Sequence, residues 1–583
     1  MRRWSSLVLA AVVTMPGCSG KPAARKIAPP PAPPPAGPST QERYRQAADA
    51  LFDAYLAHYP PAGVELGLHQ YDGKLPDMTP EGIKARGAWL AAQLVAIEAF
   101  PAAELDEETQ VERDALIAQI RGAIFDLEVL RKPFSNPIGY ADDLELTQYI
   151  ARDYAPLPDR ARAVMALCTA APAYLAAAEA NLPQAMPRTF IETALLEVNG
   201  MIEFVGEDVA GAMAKLEDPD LAGQVSESLL QCGTALASYR DFLKKRMATA
   251  NDDFAIGPEK FLRMLADKEM ISIDLPRLEQ IARADLDHNL GAMDVAARRL
   301  HPRRAIPQIL ARANADRPPA DKIFAEASAQ SAAMRQMLIE KDLISIPAED
   351  VAEVRASPPF MRWNFAFLSA PGQFEEKALP SFYYISPPNP KWPRQEQKNY
   401  IPPRHDLLFT TIHEVWPGHF LEYLHTRRHP SRILRSFCSY AFAEGWAHYV
   451  EQMMLEAGVG GDDPKATIGQ LSNALLRNAR FVSAIGLHTQ GMTVEQSIAL
   501  FEKKGLQDKA SSRQQAVRGT FDPGYLNYTL GKLMILKLRE EWKAKVGSAY
   551  SLKAFHDEFL SHGCAPIPAI RRAMLGPDAG PPL

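Results

Sequence analysis

The chain has 583 residues, 47% hydrophobic and 23% charged, the balance of an ordinary globular protein long enough to bury a substantial core. Its formal net charge of -6 offers no general attraction to nucleic acid or to an anionic membrane surface, so nucleic-acid binding is disfavoured. Five cysteines without a CxxC pair argue against a thiolate metal site, and their spacing does not say which of them approach one another.

The N-terminus reads as an export signal: Arg2-Arg3, the apolar run Leu7 to Val13, then small residues and Cys18. That run is too short to span a bilayer as a stable helix, and no later run is expected to cross one. Met15-Pro16-Gly17-Cys18 resembles a bacterial lipoprotein processing site, where cleavage leaves the cysteine lipid-modified at the new N-terminus. Residues 1–17 are therefore expected to be a signal peptide, with membrane attachment only through a lipid on Cys18. The product is a protein anchored at the cell envelope, or a secreted one if Cys18 is incidental. Residues 18–38 are a proline-rich linker, extended and unable to join a packed core.

Residues 39–583 are expected to form a single helical domain, with a division into lobes near residue 345 left open. Tyr44, Ala48, Leu51, Phe52 and Tyr55 recur at helical spacing behind a Ser39/Glu42 capping box, and Thr79-Pro80 opens another helix. Helical patterns then dominate to about residue 345, broken at Asn136-Pro137, Leu157-Pro158, Leu182-Pro183 to Met186-Pro187, and Asp218-Pro219. Residues 346–404 are rich in proline and aromatics. The run Phe382 to Ile385 is the best candidate for a short strand, in a position that suits the edge strand of a zinc peptidase beside its metal helix, and a surface loop that packs its aromatics would explain it equally well. Helices return after Asp406, and the last long one spans about Gly524 to Val546. The fold class is mostly α, with at most a small β element near residues 381–386.

The chemistry concentrates in His413-Glu414-Val415-Trp416-Pro417-Gly418-His419, set in an apolar run. In the usual zinc-peptidase pattern two histidines four apart on a helix bind the metal, and the glutamate after the first is the general base. Here the histidines are six apart. At roughly 100° per residue an ideal helix would put the second ring about 120° from the first. Either this is no metal site, or the helix loops out two residues at Pro417-Gly418 and restores an effective spacing of four. A catalytic zinc needs a third protein ligand. Glu444, 25 residues on in a segment long enough to return, is the first choice, and His448 one turn later is the second. A salt bridge to an arginine would explain a buried Glu444 equally well. Tyr528 is a candidate donor to a developing oxyanion, His488 and Arg518 are candidate substrate-binding residues, and each has a packing or pairing alternative.

HEVWPGH, AEGWAHY and DPGYLNYTLGKLMILKLRE, with YPPAGVELGLHQYDGKLPD, SNPIGY and GLHTQGMT, resemble the bacterial family called domain of unknown function 885. The resemblance covers nearly the whole chain after the linker. That family looks like a distant relative of the α-helical gluzincin peptidases, the neurolysin-like oligopeptidases and angiotensin-converting enzyme. The resemblance implies a helical metallopeptidase-like domain with a cleft and one Zn(2+) held by His413, His419 and Glu444. It further implies Glu414 as general base and Tyr528 as a transition-state tyrosine, with His488 in the family's Gly-Leu-His segment. Phe420 stands where the family commonly has a second histidine, and Ala484 where it often has an acid. Three functions follow as expectations: a zinc peptidase acting on peptides, a metal-dependent hydrolase of other amides or esters, and a lipid-anchored binding protein with a vestigial site.

Overall fold

The computed structural model describes residues 37–583 apart from 359, 360 and 363, so the signal segment, Cys18 and the linker to residue 36 lie outside the described residues. From Thr40–His58 to Ile567–Leu575 the chain is mostly α. The helix starts read from the sequence have physical caps. The Thr79 hydroxyl accepts from Gly82 N ahead of Pro80–Glu98, Asp218 caps Pro219–Arg246, and Thr493 and Gln496 form a reciprocal box ahead of Val494–Lys503. The first helix buries Tyr44, Ala48, Leu51, Phe52 and Tyr55, the face its periodicity marked.

Three buried apolar clusters hold the fold. The largest runs from Val111 to Met574 and draws side chains from both sides of residue 345. A second lies among Leu157–Asn181, Arg188–Phe204 and Pro219–Arg246, and a third is built on Thr40–His58 and reaches Ile433 and Phe437. Leu157–Asn181 is, by length and composition, apolar enough to cross a membrane, which corrects the expectation that no such run follows the signal. Its buried face packs against Pro219–Arg246, as a core helix would.

Among the described residues the β element has three strands: β1 (Ala352–Ala356), β2 (Ala366–Ser369) and β3 (Ser381–Ile385). Their order is β1-β3-β2, with β1 parallel and β2 antiparallel to β3. The strand read from the sequence is thus the central one, and the edge strand beside the motif helix is β2. Full burial along β3 explains both facts: a strand covered on both faces reads as a continuous apolar run, whereas four residues of β2 are too few to show a period.

Five helices frame the site: Arg404–Glu414, His419–Thr426, Tyr440–Glu456, Pro464–Thr489 and Asn527–Val546. Tyr440–Glu456 and Asn527–Val546 cross with almost no space between backbones. A Cβ on Gly445 would lie 2.6 Å from the Gly531 Cα, and one on Gly531 would run into the Ala441 carbonyl. The Ser439 side chain caps Tyr440–Glu456, and the buried carboxylate of Glu269 accepts from the Ser439 hydroxyl (2.5 Å) and Ala441 N (3.2 Å) at the same end. Just before this cap, Cys438 is disulfide-bonded to Cys564, while Cys168 and Cys232 are buried free thiols.

Candidate metal centre

The motif helix stops at Glu414 and a new helix starts at His419. Across the break Gly418 N donates to Ile412 O (3.0 Å) and Leu421 N to Val415 O (3.3 Å), spans of six residues where an α-helix uses four. The two surplus residues are thus looped out. The Trp416-Pro417 peptide is cis, and Gly418 is required because a Cβ there would collide with the His413 carbonyl. The Trp446 indole donates to Pro417 O at 3.0 Å, tying the break to the helix that carries Glu444.

The break brings the two imidazoles together, ring centres 4.8 Å apart and planes at 86°. His413 Nε2 lies 3.3 Å and His419 Nε2 3.4 Å from the same oxygen, Glu444 Oε2. One ligand atom from each of the three residues falls within 4.8 Å of the others. Ligands at the usual zinc distance in a tetrahedron stand roughly 3.3 Å apart, so this donor set fits one zinc ion. Glu444 Oε2 is buried without a hydrogen-bond donor, which also fits an atom facing a metal. The other oxygen, Oε1, accepts from the Tyr528 hydroxyl at 2.9 Å.

Around this cluster lies a layer the sequence reading missed. His413 Nδ1 meets Glu451 Oε1 at 2.8 Å, which fixes the ring so that Nε2 faces Glu444. Glu451 is in turn paired with Arg477 at 3.0 Å. Burial pushes the Glu451 carboxyl up, but Arg477, His448 and the bonds from His413 and His448 outweigh it and hold it well below the ordinary range. Glu451 stands seven residues beyond Glu444, two turns along the same face, and that spacing was the available signal.

The electrostatics of the three donors are linked. Burial alone would favour neutral groups. For Glu444 the two histidines overcome burial and depress its pKa well below 4.5, and for His419 the carboxylate overcomes burial and raises its pKa to about 9. Glu414 is raised by burial, partly offset by His413 and His419. Its Oε2 accepts from Leu368 N at 3.0 Å, so β2 fixes the carboxylate beside the cluster.

The remaining candidates separate. His448 sits fully buried near Glu451 (3.4 Å), where burial lowers its pKa to about 3, and it does not join the cluster. His488 donates from Nε2 to Gly519 O (2.7 Å) and packs against Phe254 and Phe261, remote from the cluster in its contacts. Arg518 pairs with Asp522 (3.0 Å) rather than Glu444, donates to the Tyr440 hydroxyl (2.9 Å) and lies 3.5 Å from the Tyr528 hydroxyl. A cavity of about 410 Å³ lined by Lys268, Glu269, Tyr440, Asp522 and Asn527 includes none of the metal-cluster residues, but Tyr440 packs edge-on against Tyr528.

A family model described as a bacterial protein of unknown function, DUF885, matches residues 60–574. No curated protein matches the chain. Among solved structures, a proposed lipoprotein of unknown function from Shewanella oneidensis is 25% identical with a TM-score of 0.76, over 91% of this chain and 99% of that one. A second proposed lipoprotein, from Colwellia psychrerythraea, shares the fold at 17% identity with a TM-score of 0.77, over 92% of this chain and 99% of that one.

Proposed function

We propose, for a chain that belongs to the bacterial DUF885 family, the activity of a zinc-dependent hydrolase in the form of a metallopeptidase. The observation that carries this reading is the convergence of His413 Nε2, His419 Nε2 and Glu444 Oε2 with the Glu414 carboxylate fixed alongside. One zinc ion held by these three residues would supply the Lewis acidity that lowers the pKa of a water and polarises a scissile carbonyl. Glu414 takes the proton from the attacking water and returns it to the leaving amine; burial lifts its pKa above the ordinary carboxylate value, which favours uptake of that proton. Tyr528, whose hydroxyl donates to Glu444 Oε1, would stabilise the oxygen on which negative charge develops by turning that single donor toward it. Glu451 and Arg477 hold the His413 ring.

The His-Glu pair, a glutamate on a returning helix and a helical scaffold support a distant likeness to the α-helical gluzincins. Peptides are favoured over other amides and esters by β2. Leu368 points its N–H away from β3 toward Glu414, so this edge of the strand is free of β3 and faces the site, where an extended peptide can pair with it. A binding protein with a vestigial site is disfavoured by Glu414, which a purely structural zinc does not need. We further infer export and lipid attachment at Cys18, supported by the Met15–Cys18 sequence and by the two structures described as proposed lipoproteins. Fractionation of wild type against Cys18→Ser tests that, with loss from the membrane pellet expected.

Metal analysis paired with digestion of a peptide library tests the main reading. Purified protein should hold about one zinc per chain, and Glu414→Gln should keep the metal while hydrolysis falls by ~10²–10⁴. Metal-free protein that gains nothing from added zinc would sink the assignment. Zinc-loaded protein that cleaves only non-peptide amides or esters would move it to the second class.

A further inference from the structure

Three guanidinium groups surround Tyr528. The Cζ atoms of Arg480, Arg477 and Arg518 lie 4.5, 5.6 and 5.7 Å from its ring centre. Two of them are neutralised within the protein, Arg477 by Glu451 and Arg518 by Asp522, each at 3.0 Å. Arg480 is not. Its Nε donates to the neutral amide oxygen of Gln515 at 2.8 Å, the Tyr528 ring lies under the guanidinium, and its other charged or phenolic neighbours are Arg477, Arg518, Tyr440 and Tyr525. Among the described residues no carboxylate pairs with it, and neither terminal nitrogen has a hydrogen-bonding partner. Those nitrogens are also absent from the side-chain atoms sealed away from solvent without a partner. The residue is nonetheless only 7% exposed.

A buried guanidinium without a counter-charge is costly, and natural proteins rarely keep one without use. Burial, then the neighbouring Arg518 and Arg477, push its pKa down, as expected for a cation lacking its anion. The free end of the group is the planar fork of two terminal N–H donors that matches a carboxylate. Its place is set by Tyr528, whose ring carries the guanidinium and whose hydroxyl bonds Glu444, so one aromatic side chain separates this cation from the candidate metal ligands.

We propose that Arg480 is the receptor for a carboxylate of the substrate. The site then takes acyl substrates with a free carboxylate close to the scissile bond, either a peptide C-terminus or an acidic side chain. This rests on the hydrolase reading above. The competing role, a stack that merely orients Tyr528, gives no discrimination between a carboxylate and its neutral amide.

The test is calorimetric binding to Glu414→Gln protein, with zinc added and with zinc chelated. Three probes are used: N-acetyl-trialanine as the free acid, its C-terminal amide, and the same amide with aspartate replacing the central alanine. The free acid should bind at least ~10-fold more tightly than the plain amide, with the advantage lost in Glu414→Gln/Arg480→Gln at unchanged zinc content. Arg480→Lys, which keeps the charge without the fork, should recover part of it. If the aspartyl amide binds as tightly as the acid, the carboxylate proposal stands and its source is a side chain. Equal binding of all three probes, or none, overturns it, as does an acid preference that survives Arg480→Gln. The wild-type-residue comparison of acid with amide needs no Arg480 variant, so a misfolded variant cannot shelter the idea. Because the readout is binding, absence of hydrolysis would overturn the peptidase reading without deciding this one.

Discussion

On the proposed assignment, zinc would compete with a proton at His419. Burial disfavours the imidazolium, but Glu444 Oε2 at 3.4 Å outweighs it, and the pKa stands at about 9 against an ordinary 6.5. In the metal-free protein this raised value stabilises the fold fully below pH 6.5, and the contribution disappears as pH rises through about 9. A metal needs the neutral ring, so binding at pH 7 should release about one proton, and zinc affinity should climb by up to ~10-fold per pH unit until about pH 9. Calorimetric zinc titrations in buffers of different ionisation enthalpy measure the proton directly; an observed heat that does not depend on the buffer would refute it. At this scale His413, Glu414, His419 and Glu444 were legible as a group, because their residue types and spacing are a local signal and the fold brings the three donors together with Glu414 alongside. It was silent about Arg480 and Arg477. Both lie in the helix Pro464–Thr489, and only its tertiary packing against the motif and Tyr528 helices buries them.

Two glycines position the elements of the candidate site, and they act on different parts of it. Gly418 sits where the looped-out turn folds back on the His413 carbonyl, so Gly418→Ala must move the start of the His419 helix. Gly531 sits where the Tyr528 helix crosses the Glu444 helix, and because the Ser439 cap and the Trp446–Pro417 bond hold the latter, Gly531→Ala should displace the Tyr528 helix and leave His413, His419 and Glu444 in place. Each overpacked contact should cost ~1–3 kcal/mol of stability. The variants should then part: Gly418→Ala loses zinc, whereas Gly531→Ala keeps it but hydrolyses more slowly, since the Tyr528–Glu444 bond is what the crossing maintains. Metal content and turnover on the two purified proteins check this, and zinc loss from Gly531→Ala alone would reverse the assignment. The helix break was legible because Pro417 and Gly418 are the residues that allow one. The helices as a whole were legible from caps and period. Of the sheet only β3 was legible, since β1 and β2 exist only through pairing with β3, and pairing partners leave no local signature.

For the whole molecule, the Cys438–Cys564 disulfide fastens the C-terminal segment to the start of the Glu444 helix. Backbone bonds accompany it: Ser439 N donates to Cys564 O and Cys564 N to Leu434 O, each at 3.0 Å. The sequence could not name this pair, because 126 residues separate the two cysteines and only the packed fold brings their Cα atoms to 4.4 Å. That same separation makes the link valuable. Closing a loop of more than a hundred residues removes much of the unfolded chain's freedom, and the chain-entropy account puts the gain at ~3–5 kcal/mol. The helix itself has independent anchors in the Ser439 cap, the Glu269 carboxylate and the Trp446–Pro417 bond, all of which survive reduction. Reduction should therefore lower the denaturant midpoint without emptying the metal centre at 25 °C. Unfolding curves with and without a thiol reductant, read beside zinc content of the reduced folded protein, separate these effects. Zinc lost before unfolding would show instead that the disulfide, and not the cap, holds Glu444 in register.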